Sequence, residues 1–185
     1  MTSLSRVPTD LQGFLAWENC QPDRYELIAG AVRPREGGTR AHDLIAVTIG
    51  ALLHAAVGRR CYVHGSRLKV VSPDGMVAYP DVLVRCGPLV AEATDCDDPV
   101  LIVEVVSLLT RAGALIHKRW AYQAIPSLRH LLYVDAARLK VELATRSEDG
   151  SWHSVFLEGP DAIVRLDALH TSLSLAEVYE GTGIA

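Results

Sequence analysis

The run VLIVEVV, Val100 to Val106, holds six aliphatic residues and one carboxylate, Glu104. A strand apolar on both of its alternating faces must be covered on both. The run therefore reads as a central strand of a sheet flanked by helices, not as an exposed hairpin. Glu104 sits in the wrong medium for its charge. An ionised carboxylate inside an apolar layer is stable only when it is paired, protonated or bound to a cation, so the rest of the chain has to supply a partner.

The elements around that strand follow from local patterning. A short helix is expected over TDLQGFLAW, capped near Thr9, and YELIAGAV alternates about a glycine turn as a strand or hairpin. From Arg40 to Val57 the apolar residues Leu44, Val47, Ile49, Leu52, Leu53 and Ala56 recur at helical spacing, ended by Gly58. CYVHGSRLKVV and AYPDVLVRC flank the turn SPDGM and read as one antiparallel hairpin from Cys61 to Cys86. An acidic loop, Gly87 to Pro99, precedes the central strand. A helix from Thr110 to Ala124 follows it and stops before Pro126. RHLLYVD, RLKVELATR, SWHSVFL and AIVRL are further strands, and SLSLAEVYEG closes as a short helix. This order describes an α/β sandwich of mixed sheet topology. With 185 residues, 49% of them hydrophobic, the chain can bury a core as a single domain spanning residues 1–185.

Cys20, Cys61, Cys86 and Cys96 lack metal-ligand spacing and are expected as reduced, mostly buried thiols of a cytoplasmic protein. The first residues, MTSLSRVPTDLQGF, lack the apolar core of a signal peptide, and Leu44 to Gly58 is too short to span a bilayer, so no membrane partner is expected. The net charge of −4 argues against a general nucleic-acid coat, but the charges are segregated. Eight basic residues face three acidic ones between Arg24 and Lys69, and six face Asp135 alone between Arg111 and Lys140.

Asp81, in YPDVLV, opens a second aliphatic strand after a proline. Two strands each delivering one carboxylate suit Mg²⁺ or Mn²⁺, which take hard oxygen ligands and keep water or phosphate oxygens in the remaining positions. Lys118, in LIHKRWAYQAIP, lies on the helix after the Glu104 strand and can fold back over the strand's end, placing an ammonium beside the carboxylates. Arg119 faces differently and is a fallback phosphate contact. The basic residues Arg33, Arg35, Arg40, Arg67 and Lys69 are candidates to track a polynucleotide backbone. Trp17, Trp120, Tyr122 and Tyr133 are expected to pack the core. His42 and Asp43 form the dipeptide of metal phosphohydrolases, but the other histidines lack the spacing such sites need.

RYELIAG, a helix beginning near AHDLI, then PDVLV, VLIVEVVS and K…AYQAIPSLRHLLYVD occur in an order that resembles the Uma-type family of bacterial endonucleases, in the restriction-endonuclease-like PD-(D/E)XK superfamily. The likeness runs through LSLAEVYEG. It implies an α/β/α core in which Asp81, Glu104 and the backbone carbonyl of Val105 hold Mg²⁺ or Mn²⁺. It also implies Lys118 as the displaced catalytic lysine, Val106 occupying the more usual place. Glu26 matches a further family acid, and His42 a histidine at a helix start that favours phosphate. The implied activity is hydrolysis of phosphodiesters in DNA, leaving a 5′ phosphate, and a homodimer is implied by enzymes that cut both strands. The chain departs from the family where VEVVSLLT and RAGALIHK replace VEVLSPST and a DRGEK-like segment: Leu108 stands for proline, and Ala114, Leu115 and His117 replace charged residues. Against the nuclease reading stands a non-catalytic relative, in which the same acids and lysine form a structural ion-pair network on a nucleic-acid or protein binding module.

Overall fold

A computed structural model describes residues 8, 10–35, 37–106 and 112–184. In chain order these residues form α1 (Leu11–Glu18), β1 (Tyr25–Ile28), β2 (Ala31–Pro34), α2 (Arg40–Ala56), β3 (Cys61–Gly65), β4 (Lys69–Val71), β5 (Val77–Ala78), β6 (Val82–Cys86), β7 (Asp95–Cys96) and β8 (Leu101–Val106). There follow α3 (Ala112–Gln123), β9 (His130–Asp135), β10 (Lys140–Arg146), β11 (Trp152–Glu158), β12 (Ile163–Leu166), β13 (Thr171–Ser174) and α4 (Leu175–Val178).

VLIVEVV forms β8, near the middle of a six-stranded sheet ordered β11-β10-β9-β8-β6-β3, parallel to β9 and antiparallel to β6. Its alternating side chains enter two cores. Leu101, Val103 and Val105 join Leu132 and Val134 of β9 against Ile45, Ile49 and Leu53 of α2, and against the β12–β13 hairpin and α4. Ile102 joins Leu83 and Leu131 against Tyr122 of α3 and against Ile28, Val70 and Ala78 of a second sheet, ordered β2-β1-β5-β4-β7. The mixed α/β sandwich expected from the element order is the observed architecture.

The helix α2 forms where the spacing puts it. The Thr39 side chain accepts the His42 N–H at 3.2 Å and caps the first turn, and Gly58 follows the last turn with φ +67°, a conformation glycine adopts without penalty. Ile45, Ile49 and Leu53 recur at i, i+4, i+8 and are fully buried, each stabilising by about 2 kcal/mol through apolar area removed from water. Asp10 caps α1 by accepting the Gly13 N–H; Thr9, like Thr110 and Arg111, lies outside the described residues.

Four expectations are corrected. The Cys61 to Cys86 segment is not one hairpin. Its ends, β3 and β6, pair in the large sheet, whereas the SPDGM turn joins β4 and β5 in the small one, because a turn at Gly65 to Leu68 redirects the chain between sheets. Cys61 and Cys86 face each other in the β3–β6 register, and this brings their sulfurs together as a disulfide. They are not free thiols; of the other two cysteines, Cys96 is buried and Cys20 exposed. Trp120 does not pack the core but is 65% exposed, since the buried stripe of α3 runs through Ala121 and Tyr122. Lys69 is buried too, its ammonium bonded to Glu18 and Asn19 at 2.7 Å each, and so tracks no surface backbone. Among the described residues no helix is long and apolar enough to cross a membrane.

Candidate active site

Register decides how the two carboxylates meet. Val82 of β6 pairs with Val103 of β8, and the Asp81 N–H donates to the Val103 carbonyl at 3.1 Å, so one further step along both strands sets Asp81 opposite Glu104. Asp81 is then clasped to β8, its Oδ2 accepting the Val105 N–H at 2.8 Å. The N–H and C=O of one strand residue point to the same side, which turns the Val105 carbonyl toward Asp81 as well.

On β8, Glu104 follows Ile102 onto the face that α3 covers. Lys118 and Tyr122 lie one helical turn apart on α3 and converge on the same oxygen, Glu104 Oε1, at 3.2 and 2.7 Å. Lys118 Nζ also contacts Glu26 Oε1 at 2.9 Å, and that oxygen accepts the Tyr79 N–H at 2.9 Å. One ammonium is thus shared between two buried carboxylates, and this is the partner that lets Glu104 stand in an apolar strand. Asp81 Oδ1 is held by Arg35 at 2.9 Å and by His42 Nε2 at 3.0 Å, while Arg35 Nε also donates to the Tyr79 carbonyl at 3.3 Å. Glu26, Asp81, Glu104 and Lys118 line a single cleft of 350 Å³, bounded on another side by Arg33 and Arg35.

Burial pushes the Glu104 carboxyl up, and the Lys118 charge opposes that shift without cancelling it. Burial alone would lower Lys118, but the charges of Glu104 and Glu26 win and its pKa is raised, so the ammonium stays protonated. The hydrogen bond to Asp81 raises the His42 imidazole above its ordinary value against partial burial.

Some expected residues stand apart from this cleft. Arg40, at the first turn of α2, and Arg67, in the turn after β3, are both exposed and are not among the residues lining it. Arg119 is turned away from Lys118 by the helical rotation between neighbours; its guanidinium forks onto Glu142 of β10, donates to Ser154 at 2.8 Å and lies 5.5 Å over the Tyr133 ring. Tyr122 and Tyr79 were not marked as site residues by the sequence. For Tyr122 a signal existed: it lies four positions after Lys118, the spacing that aligns two donors on one helix face.

The donor set fits a hard cation of restricted kind. All hydrogen bonds to Glu104 among the described residues fall on Oε1, and the acidic groups of the cleft are carboxylate oxygens, but no group of three or more His, Cys, Asp or Glu residues among the described ones could hold a metal ion by itself. Asp81 and Glu104 are therefore the carboxylates that could contribute to holding a hard divalent cation, which would need water or substrate oxygens to complete its shell.

Residues 11–177 match the model of a family named Uma2 and described as "Putative restriction endonuclease". An uncharacterized protein of Synechocystis sp. is 28% identical over 171 residues, covering 91% of this chain and 90% of that protein. A crystal structure of a "putative nuclease belonging to DUF820" from Anabaena variabilis superposes with a TM-score of 0.76 over 93% of this chain and 98% of that one; at 16% identity the likeness speaks for the fold.

Proposed function

Since the chain belongs to the Uma2 family, we propose that it is an endonuclease that hydrolyses phosphodiester bonds in DNA with the help of Mg²⁺ or Mn²⁺. The reading rests on one observation: Asp81, Glu104 and Lys118, from two paired strands and the helix that follows, line one cleft. Asp81, Glu104 and the Val105 carbonyl are the groups that would hold the cation. When bound it would neutralise charge on the phosphodiester and make a bound water more acidic.

The chain's own groups have definite tasks in this scheme. Tyr122 fixes Glu104 through Oε1, and the Val105 N–H fixes Asp81 through Oδ2, so neither carboxylate reorganises when substrate enters. Lys118, kept protonated by its two carboxylates, donates to a phosphoryl oxygen as negative charge builds there. Glu26 holds that ammonium in place. Arg35 and His42, which neutralise Asp81, are free to turn to a phosphate once a cation takes over that task. Arg40 and Arg67 remain candidates for outer backbone contacts, and cleavage of both strands calls for a homodimer.

The test is a Mn²⁺ cleavage assay on single- and double-stranded DNA with Asp81→Ala and Glu104→Ala beside the wild type. Both substitutions are expected to abolish cutting, and activity that survives both rules the site out. A second reading is favoured by the pairing of all three carboxylates with cations of the chain itself: a binding module whose acids and lysine are purely structural. Under that reading Mn²⁺ leaves the melting temperature unchanged; under the nuclease reading it raises it. Cytoplasmic residence, also proposed, would keep Cys61 and Cys86 reduced, so the state of that pair in freshly isolated protein bears on it.

A further inference from the structure

Arg33 is the one cation of the cleft to which no hydrogen bond or ion pair is assigned among the described residues, whereas Lys118, Arg35 and His42 are all committed to carboxylates. The β1–β2 register sets Arg33 directly across from Glu26, the position at which a cross-strand ion pair would form. Glu26 instead turns to the Tyr79 N–H and to Lys118. Arg33 Nε is left buried without a partner, one of three such side-chain atoms among the described residues. A guanidinium N–H left buried and unbonded is unfavourable, and such an arrangement persists where a ligand completes the bond. Arg35, two residues on and directed to the same side of the strand, shows the contrast: its guanidinium is taken by Asp81 and the Tyr79 carbonyl.

We propose that Arg33 is the anion anchor of this cleft and binds a phosphate of the substrate backbone next to the one held between Lys118 and the two carboxylates. The inference rests on the nuclease reading for the identity of the ligand, but the charge and the missing partner stand without it. A guanidinium fits this task better than an ammonium, because its planar fork meets two phosphate oxygens at once. Arg33 contacts no carboxylate of the catalytic group, so it binds substrate without altering the acids.

The experiment measures binding of fluorescein-labelled single- and double-stranded oligonucleotides by anisotropy, with Ca²⁺ in place of Mg²⁺, across a salt series. Wild type, Arg33→Gln, Arg33→Lys and the control Arg165→Gln, exposed on β12, are compared. Arg33→Gln is expected to weaken binding about tenfold and to lower the salt dependence by about one phosphate contact, with a melting temperature that does not fall; Arg33→Lys recovers part of the affinity and Arg165→Gln loses none. Equal affinity for wild type and Arg33→Gln, or no binding by the wild type, overturns the proposal. If Arg33→Gln weakens binding while the wild type cuts nothing in Mn²⁺, the anchor stands and the nuclease reading falls.

Discussion

Replacing Lys118 by methionine keeps the aliphatic stem and removes the charge shared by Glu26 and Glu104. At contacts of 2.9 and 3.2 Å and an effective dielectric of about 20, each attraction is worth about 5 kcal/mol before desolvation is subtracted. Desolvation of the ammonium takes back several kcal/mol, so removing one partner from the buried group is expected to cost about 3–5 kcal/mol at neutral pH. The cost has a sign in pH. Burial already raises Glu104, and the Lys118 charge is what restrains that rise, so in the variant the folded-state pKa climbs further above the unfolded value of about 4.3. A group raised in the folded state contributes stability that is complete below its unfolded pKa and is lost as pH climbs through the folded one. Lys118→Met should therefore be nearly as stable as wild type near pH 4 and fall behind steadily toward pH 8. Urea unfolding followed by circular dichroism at several pH values measures this, and Lys118→Met/Glu104→Leu, which leaves only Glu26 without its ammonium, should regain part of the loss. A cost below about 1 kcal/mol at pH 8, or one independent of pH, would show that Lys118 is solvated and refute the counter-ion argument.

Three other outcomes are expected. Thiol titration of the native protein in the absence of reductant should count Cys20, add buried Cys96 on unfolding, and reach Cys61 and Cys86 only after reduction; breaking that pair by Cys61→Ser and Cys86→Ser should cost about 3 kcal/mol, read by urea unfolding. Burial alone would raise Glu142, but the hydrogen bonds from Arg119 and Ser154 hold it low, so its contribution is present above an unfolded value of about 4.3 and disappears as pH falls through the folded one. Glu142→Gln should thus cost about 0.5–1 kcal/mol at pH 7 and nothing at strongly acid pH, a modest figure because the pair is partly solvated. Ala29 and Gly30 turn β1 into β2 with φ +50° and +72°, a two-residue turn that disfavours alanine, so Ala29→Asn should raise stability by about 1 kcal/mol in thermal melts.

Periodicity made α2 and the central place of β8 legible, because Ile45, Ile49 and Leu53 are buried by spacing alone and VLIVEVV has no hydrophilic face. Asp81, Glu104 and Lys118 could be singled out because each is costly or idle in its segment without the others. The division of residues 61–86 between two sheets could not be read, since a turn that changes sheets and a turn that closes a hairpin carry the same glycine and proline signals. The carboxylate partners of Arg119 and Lys69 could not be read for a common reason. A basic residue looks the same in sequence whether it faces a ligand or a carboxylate of the fold, and Glu142 and Glu18 lie 23 and 51 positions away. Tyr122 resisted for the opposite reason: full burial and a working hydroxyl are compatible in one side chain.

The cleft draws on β1, β2 and the segment after it, the start of α2, the entrance to β6, β8, α3 and the residue after β9, spread over two sheets from Glu26 to Ala136. A ribosome that has released the chain only as far as β8 has produced two acids with no ammonium to share, and a chain whose two sheets have not yet docked has Glu26 on one body and Glu104 on the other. Contacts of such long sequence separation form late. The proposed catalytic group is consequently complete only after α3 has emerged and the two sheets have docked, so a chain cut short before Lys118 lacks its ammonium.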